Sequence, residues 1–97
     1  MKWLEFQQKT LFDGLPDTVY LRMDAIREIQ ITQNEGLHVW TKSGECYTFP
    51  CTKQAGTQFF ARLVHWENTE ESDTLDVPRT LAAIARKIEE EEKINRL

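Results

Sequence analysis

IREIQITQNEGLHVWTKSGECYTFP, residues 26 to 50, is the stretch that decides the fold. Two turn signals divide it, Gln33-Asn34-Glu35-Gly36 and Thr41-Lys42-Ser43-Gly44, each with polar residues in the centre and glycine fourth. That order suits a type I turn followed by a left-handed residue, the three-residue hairpin closed by a G1 bulge. Glycine is favoured there because a Cβ clashes at positive φ. With Gly36 as a bulge, Gln33 pairs with Leu37, Ile31 with Val39 and Ile29 with Thr41. With Gly44 as a bulge, Thr41 pairs with Glu45, Val39 with Tyr47 and Leu37 with Phe49. Side chains alternate along a strand, so both turns put Ile29, Ile31, Leu37, Val39, Tyr47 and Phe49 on one face. Gln30, Thr32, His38, Trp40, Cys46 and Thr48 fall on the other. A two-residue Ser43-Gly44 turn would instead set Trp40 against Tyr47 and His38 against Phe49. The bulged register is preferred because it assembles one apolar face across three strands.

Upstream, residues 2 to 9 read as a first strand with Leu4 and Phe6 on one side. Asp13-Gly14-Leu15-Pro16-Asp17 is turn chemistry, and the β-branched and aromatic run 18 to 22 is a second strand. Asp24-Ala25-Ile26 makes a short bend, and Ile26, Ile29 and Ile31 break strict alternation, which predicts an irregularity near Arg27. Four to five antiparallel strands, mostly sequential neighbours, follow. Downstream, Thr52 or Thr57 caps a helix over about 53 to 66 that carries Phe59, Phe60, Leu63 and Val64 at helical spacing, with Trp66 beside them. Residues 67 to 77 begin with ENTEESDTLD, five carboxylates and no basic residue, which predicts a solvated linker. Asp76 and Pro78 then open a C-terminal helix over 78 to 97, with Leu81, Ile84, Ala85 and Ile88 as its apolar stripe. Beyond Ile88 the pairs Arg86–Glu90, Lys87–Glu91, Glu89–Lys93 and Glu92–Arg96 are expected to lace it. The fold class is α+β: a small antiparallel meander packed by one helix, with a second helix at the C-terminus. Residues 1 to 66 are the module, 67 to 77 the linker and 78 to 97 the last helix of a single domain.

A hydrophobic fraction of 40% and a charged fraction of 29% suit one globular domain with a modest core. No run reaches the length of a membrane span, and Met1-Lys2-Trp3-Leu4-Glu5 is too charged for a signal peptide, so a cytoplasmic protein without a membrane partner is expected. Cys46 and Cys51 then read as free thiols. Residues 1 to 66 hold seven basic and seven acidic residues, so the net charge of −4 comes entirely from the C-terminal third. Without a cluster of Lys or Arg in the module, strong phosphate-backbone binding is disfavoured.

The motifs of catalysis are missing: no phosphate loop, no Ser/His/Asp set, no paired-His metal motif. His38, Cys46, Cys51 and His65 lack the tight ligand knuckle of a zinc site, so no metal, no cofactor and no enzymatic activity are expected. Trp40 carries the most information. In one reading the C-terminal helix covers its face and Trp40 is ordinary core. In the other, Trp40, His38, Thr48, Cys46 and Gln30 form a partner surface, since Trp is enriched in interface hot spots. That second reading predicts a small cytoplasmic accessory or inhibitor protein that binds another protein, or its own copy through the sheet face or the C-terminal helix. The alternatives are a single-stranded nucleic-acid binder using Trp40 and His38, or an acidic decoy for a nucleic-acid-binding partner.

Met23-Asp24-Ala25-Ile26-Arg27-Glu28-Ile29 and Thr41-Lys42-Ser43-Gly44-Glu45-Cys46-Tyr47 resemble the strand–turn pattern of short β-meander proteins such as the flagellar FlbD-like family. What is shared is hairpin chemistry, so the resemblance implies a meander and no particular activity.

Overall fold

The two glycine turns do what their chemistry demands, by different routes. In the computed structural model, which describes residues 1–9, 14–69 and 72–95, Gly36 and Gly44 take φ of 102° and 94°. They join β3 (Ile26–Thr32), β4 (Gly36–Thr41) and β5 (Cys46–Phe49) into an antiparallel meander of order β3-β4-β5. At Gly44 the expected bulge forms. Gly44 N donates to Thr41 O at 3.1 Å, Thr41 N to Glu45 O at 2.9 Å, and Val39 lies opposite Tyr47 and Leu37 opposite Phe49. The rival pairing of Trp40 with Tyr47 does not occur, since Trp40 faces Cys46.

At Gly36 the register differs from expectation by two residues: Ile31 pairs with Leu37 and Ile29 with Val39. The cause is Thr32, whose hydroxyl accepts from both Glu35 N and Gly36 N at 3.1 Å and so closes the loop around Gln33, Asn34 and Glu35. A shift of two preserves the facing of every side chain, so the apolar face survives intact. The irregularity expected near Arg27 is present as a register break between Ile26 and Glu28.

β1 (Trp3–Lys9) and β2 (Pro16–Arg22) form a second sheet. A 3-10 turn at Met23–Ala25 carries the chain from β2 out of that sheet into β3, so the strands divide between two three-stranded sheets instead of forming one. The third member of this sheet, β6 (Thr74–Asp76), comes from the acidic segment and pairs parallel to β1, Leu4 opposite Leu75. The segment is therefore not simply solvated. Trp3 N donates to Asp73 O at 2.8 Å, Lys2 Nζ to Thr69 O at 2.7 Å, and Trp66 Nε1 to Ser72 O at 2.8 Å. Leu75 and Val77 are buried by the result.

Helix α1 (Lys53–Glu67) starts where Thr52 Oγ1 accepts from Ala55 N at 3.1 Å. It buries Ala55, Gly56, Phe59, Leu63 and Trp66. Phe60 and Val64, expected in the core stripe, remain 45% and 40% exposed. The packed face is the one with the small residues: a Cβ on Gly56 would stand 2.9 Å from Ile31 Cγ2, so helix and sheet approach there as closely as glycine allows. Helix α2 (Val77–Asn95) is capped by Asp76, whose Oδ1 accepts from Arg79 N at 2.9 Å. It packs on β1, β6 and α1 through Val77, Leu81 and Ile88, with Ile84 half-buried and Ala85 exposed. Of the expected ion pairs along α2, none of Arg86–Glu90, Lys87–Glu91 and Glu89–Lys93 closes, because each side chain is exposed and solvated instead; Glu92–Arg96 lies outside the described residues.

One core joins the two sheets and both helices. Phe6 stacks edge-on to Phe49 with centroids 5.1 Å apart and tilts against Tyr47 at 4.9 Å, around the fully buried Leu4, Leu37, Val39, Phe59 and Trp66. The architecture is α+β, with two three-stranded sheets, one helix packed on β3 and β4 and a second helix at the C-terminus.

Candidate protein-interaction site

The outer face of β3-β4-β5 is built from two cross-strand rows. Gln30, His38 and Thr48 face one another across the three strands, and Glu28, Trp40 and Cys46 form the next row. α1 occupies the inner face and α2 packs on β1, β6 and α1, so of the two readings of Trp40 the one in which the C-terminal helix covers it does not hold. Gln30, Cys46 and Thr48 are exposed and Trp40 is half-buried.

Trp40 is held on both its edge and its ring. Its Nε1 donates to Gln30 Oε1 at 3.2 Å, and the Arg27 guanidinium lies 5.8 Å from the ring centroid. Arg27 in turn is anchored by Glu28, whose Oε1 accepts from Nη2 at 2.9 Å and from Nε at 3.2 Å. The bulge explains how Arg27 gets there. Unbroken alternation would set it on the face opposite Glu28, into the core; the extra residue re-aims it outward to Trp40. Sequence reasoning found the irregularity but not this consequence, although the break in the isoleucine spacing was its visible sign.

His38 does not belong to the open surface. It is 8% exposed, its Nδ1 lies 2.9 Å from Thr48 Oγ1, and its Nε2 faces Glu35 Oε2 at 3.2 Å without an aligned hydrogen bond. Its place is beneath the surface, fixing the Thr48 hydroxyl and the Glu35 end of the first hairpin. Cys46 sits on the outer face, whereas Cys51 lies inside against Gly56, and burial pushes its thiol above the usual range. The two thiols and His38 and His65 are not gathered: among the described residues no group of three or more His, Cys, Asp or Glu is placed to hold a metal ion.

A cleft of about 620 Å³ opens on the other side of β5, floored by Phe6, Tyr47 and Phe49 and walled by Leu81, Ala82 and Ala85 of α2. Tyr47 OH at its rim donates to Glu45 Oε2 at 2.8 Å, and that bond together with burial raises the phenol above its ordinary value. Among the described residues no helix is long and apolar enough to cross a membrane. The chain matches no protein-family model, no curated protein and no solved structure.

Proposed function

We propose that the chain is a non-enzymatic protein-binding module that acts as a cytoplasmic accessory or inhibitor protein through the outer face of β3-β4-β5. The observation that supports this reading is Trp40, pinned by Gln30 and Arg27 in the middle of a sheet face that neither helix covers. An aromatic side chain fixed before binding loses little conformational freedom on contact, and Trp and Arg are the residues in which interface energy concentrates. Trp40 is the anchor, Gln30 and Arg27 orient it, Cys46 and Thr48 form the rim, and His38 supports Thr48 from below. A partner with an apolar recess for the indole, and acceptors for Arg27 at its edge, fits this surface.

The test pairs two measurements on Trp40→Ala. Capture from the native host should weaken by about 2 kcal/mol or more, the hot-spot threshold. Folding stability should fall by no more than about 1–2 kcal/mol, the loss of a half-buried ring and its cation contact. Loss of stability of about 3–5 kcal/mol, as for a core aromatic, with no selective loss of capture would overturn the reading. A gel shift with single-stranded oligonucleotides at two salt concentrations separates the nucleic-acid alternative, which predicts a steep salt slope.

A further inference from the structure

The C-terminal half of α2 is a helix with nothing to lie on. From Glu89 to Asn95 every side chain is exposed, and Ile94 is 69% exposed. Its charges are also unspent, since Arg86, Lys87, Glu90 and Glu91 close no ion pair among the described residues. Along the first half of α2 lies a groove of about 370 Å³, lined by Arg62 of α1 and by Arg79, Thr80, Ala83, Ile84 and Lys87 of α2. The groove combines the apolar Ala83 and Ile84 with the cations Arg62, Arg79 and Lys87, and residues 89–95 of the helix are acidic with one apolar side chain, Ile94. Each is the complement of the other, yet both lie on one rigid helix and cannot meet within one chain.

We propose that two copies pair antiparallel along α2, each placing its acidic C-terminal half in the basic groove of the other. Thr80, Ala83, Lys87, Glu90 and Ile94 recur at alternating steps of three and four residues, the spacing of a helix–helix seam. With the two-fold axis between residues 88 and 89, Ala83 faces Ile94 of the second copy and Lys87 faces its Glu90, twice over by symmetry. Arg86 meets Glu91 beside the seam. Large side chain thus meets small and cation meets carboxylate in the same register. A parallel pair would set Lys87 on Lys87 and Glu90 on Glu90, so charge alone selects the antiparallel arrangement. The pairing is independent of the Trp40 face, which lies on the other sheet.

Sedimentation of the full chain between about 1 μM and about 1 mM should show the mass rising from 11.4 kDa toward twice that value. The rise should shrink at high salt, as exposed charge pairs do. Lys87→Glu and Glu90→Lys should each weaken association at least about tenfold, because like charges then face across the seam. The double variant should restore it. Trp40→Ala should leave it unchanged. All four positions, Ala83, Lys87, Glu90 and Ile94, are exposed in the single chain, so thermal melts at low concentration should not move. A wild type that stays monomeric to the highest concentration overturns the proposal, as does a dimer indifferent to both charge reversals or a double variant that fails to recover.

Discussion

Gly36 meets two demands at once, and Gly44 only one. Both have positive φ, but a Cβ on Gly36 would collide with the Phe49 carbonyl oxygen and stand 2.8 Å from Cys51 N, whereas the space around Gly44 is open. Gly44→Ala should cost about 1 kcal/mol from backbone strain alone, and Gly36→Ala clearly more; urea melts giving equal losses would show that the close approach carries no energy. The requirement for glycine was legible in the sequence at both turns. The exact first register was not, because it hangs on the Thr32 hydroxyl reaching over the loop, and hydroxyl geometry leaves no trace in periodicity. Trp40 was legible as the notable residue of its face, and Arg27 was not, since a bulge redirects a side chain without changing the residues quoted. The two cysteines offer a further check at this scale. Cys46 is exposed while burial disfavours the Cys51 thiolate, so alkylation mapped by mass spectrometry near neutral pH should modify Cys46 first. Equal rates would mean that the Cys51 environment opens readily.

At the level of elements, α1 shows why large apolar residues mislead. Phe59, Phe60, Leu63 and Val64 fit a stripe, but the helix turns its Ala55 and Gly56 side to the sheet, because only small residues permit the approach to Ile31. Phe59 is fully buried, so Phe59→Ala should cost about 3–5 kcal/mol, while Phe60→Gln should stay within about 1 kcal/mol; comparable losses in chemical denaturation would reverse that assignment of faces. The cap at Thr52 was readable from its type and position, and Thr52→Ala should remove about 1 kcal/mol. β6 was hidden by composition. Thr74, Leu75, Asp76 and Val77 do alternate, but four residues inside a run of carboxylates give no period to count, and the strand exists only because β1 offers it an edge. α2 separates into a docked half and a free half near Ile88. Truncation after Ile88 should leave the thermal midpoint of the isolated chain nearly unchanged, and a large drop would show that residues 89–95 stabilise the fold itself.

Across the whole molecule, two groups couple stability to alkaline pH. The Glu45 carboxylate and burial hold Tyr47 protonated, and burial does the same for Cys51, so both values lie above the ordinary 10.0 and 9.0. Folding thus favours the protonated forms. Their contribution is complete below the ordinary values and is lost as pH rises through the raised ones. Melting temperature should fall from about pH 8 to about pH 11, and Tyr47→Phe with Cys51→Ser should flatten the fall; an identical slope in that variant would assign the effect elsewhere. The parallel pairing of β1 with β6 has a different kind of consequence, one of order in time. The hairpins of β3, β4 and β5 close between near neighbours, but Trp3 and Leu4 find Thr74 and Leu75 only when the last quarter of the chain exists. During synthesis on a ribosome, the earliest strand is therefore the last to be completed, and Leu4 waits for Leu75, Val77 and Leu81 to enclose it. Nascent chains halted before Thr74 should be cut readily by protease near β1, and protection should arrive abruptly once α2 has emerged; early protection would mean that β1 and β2 are stable without their third strand.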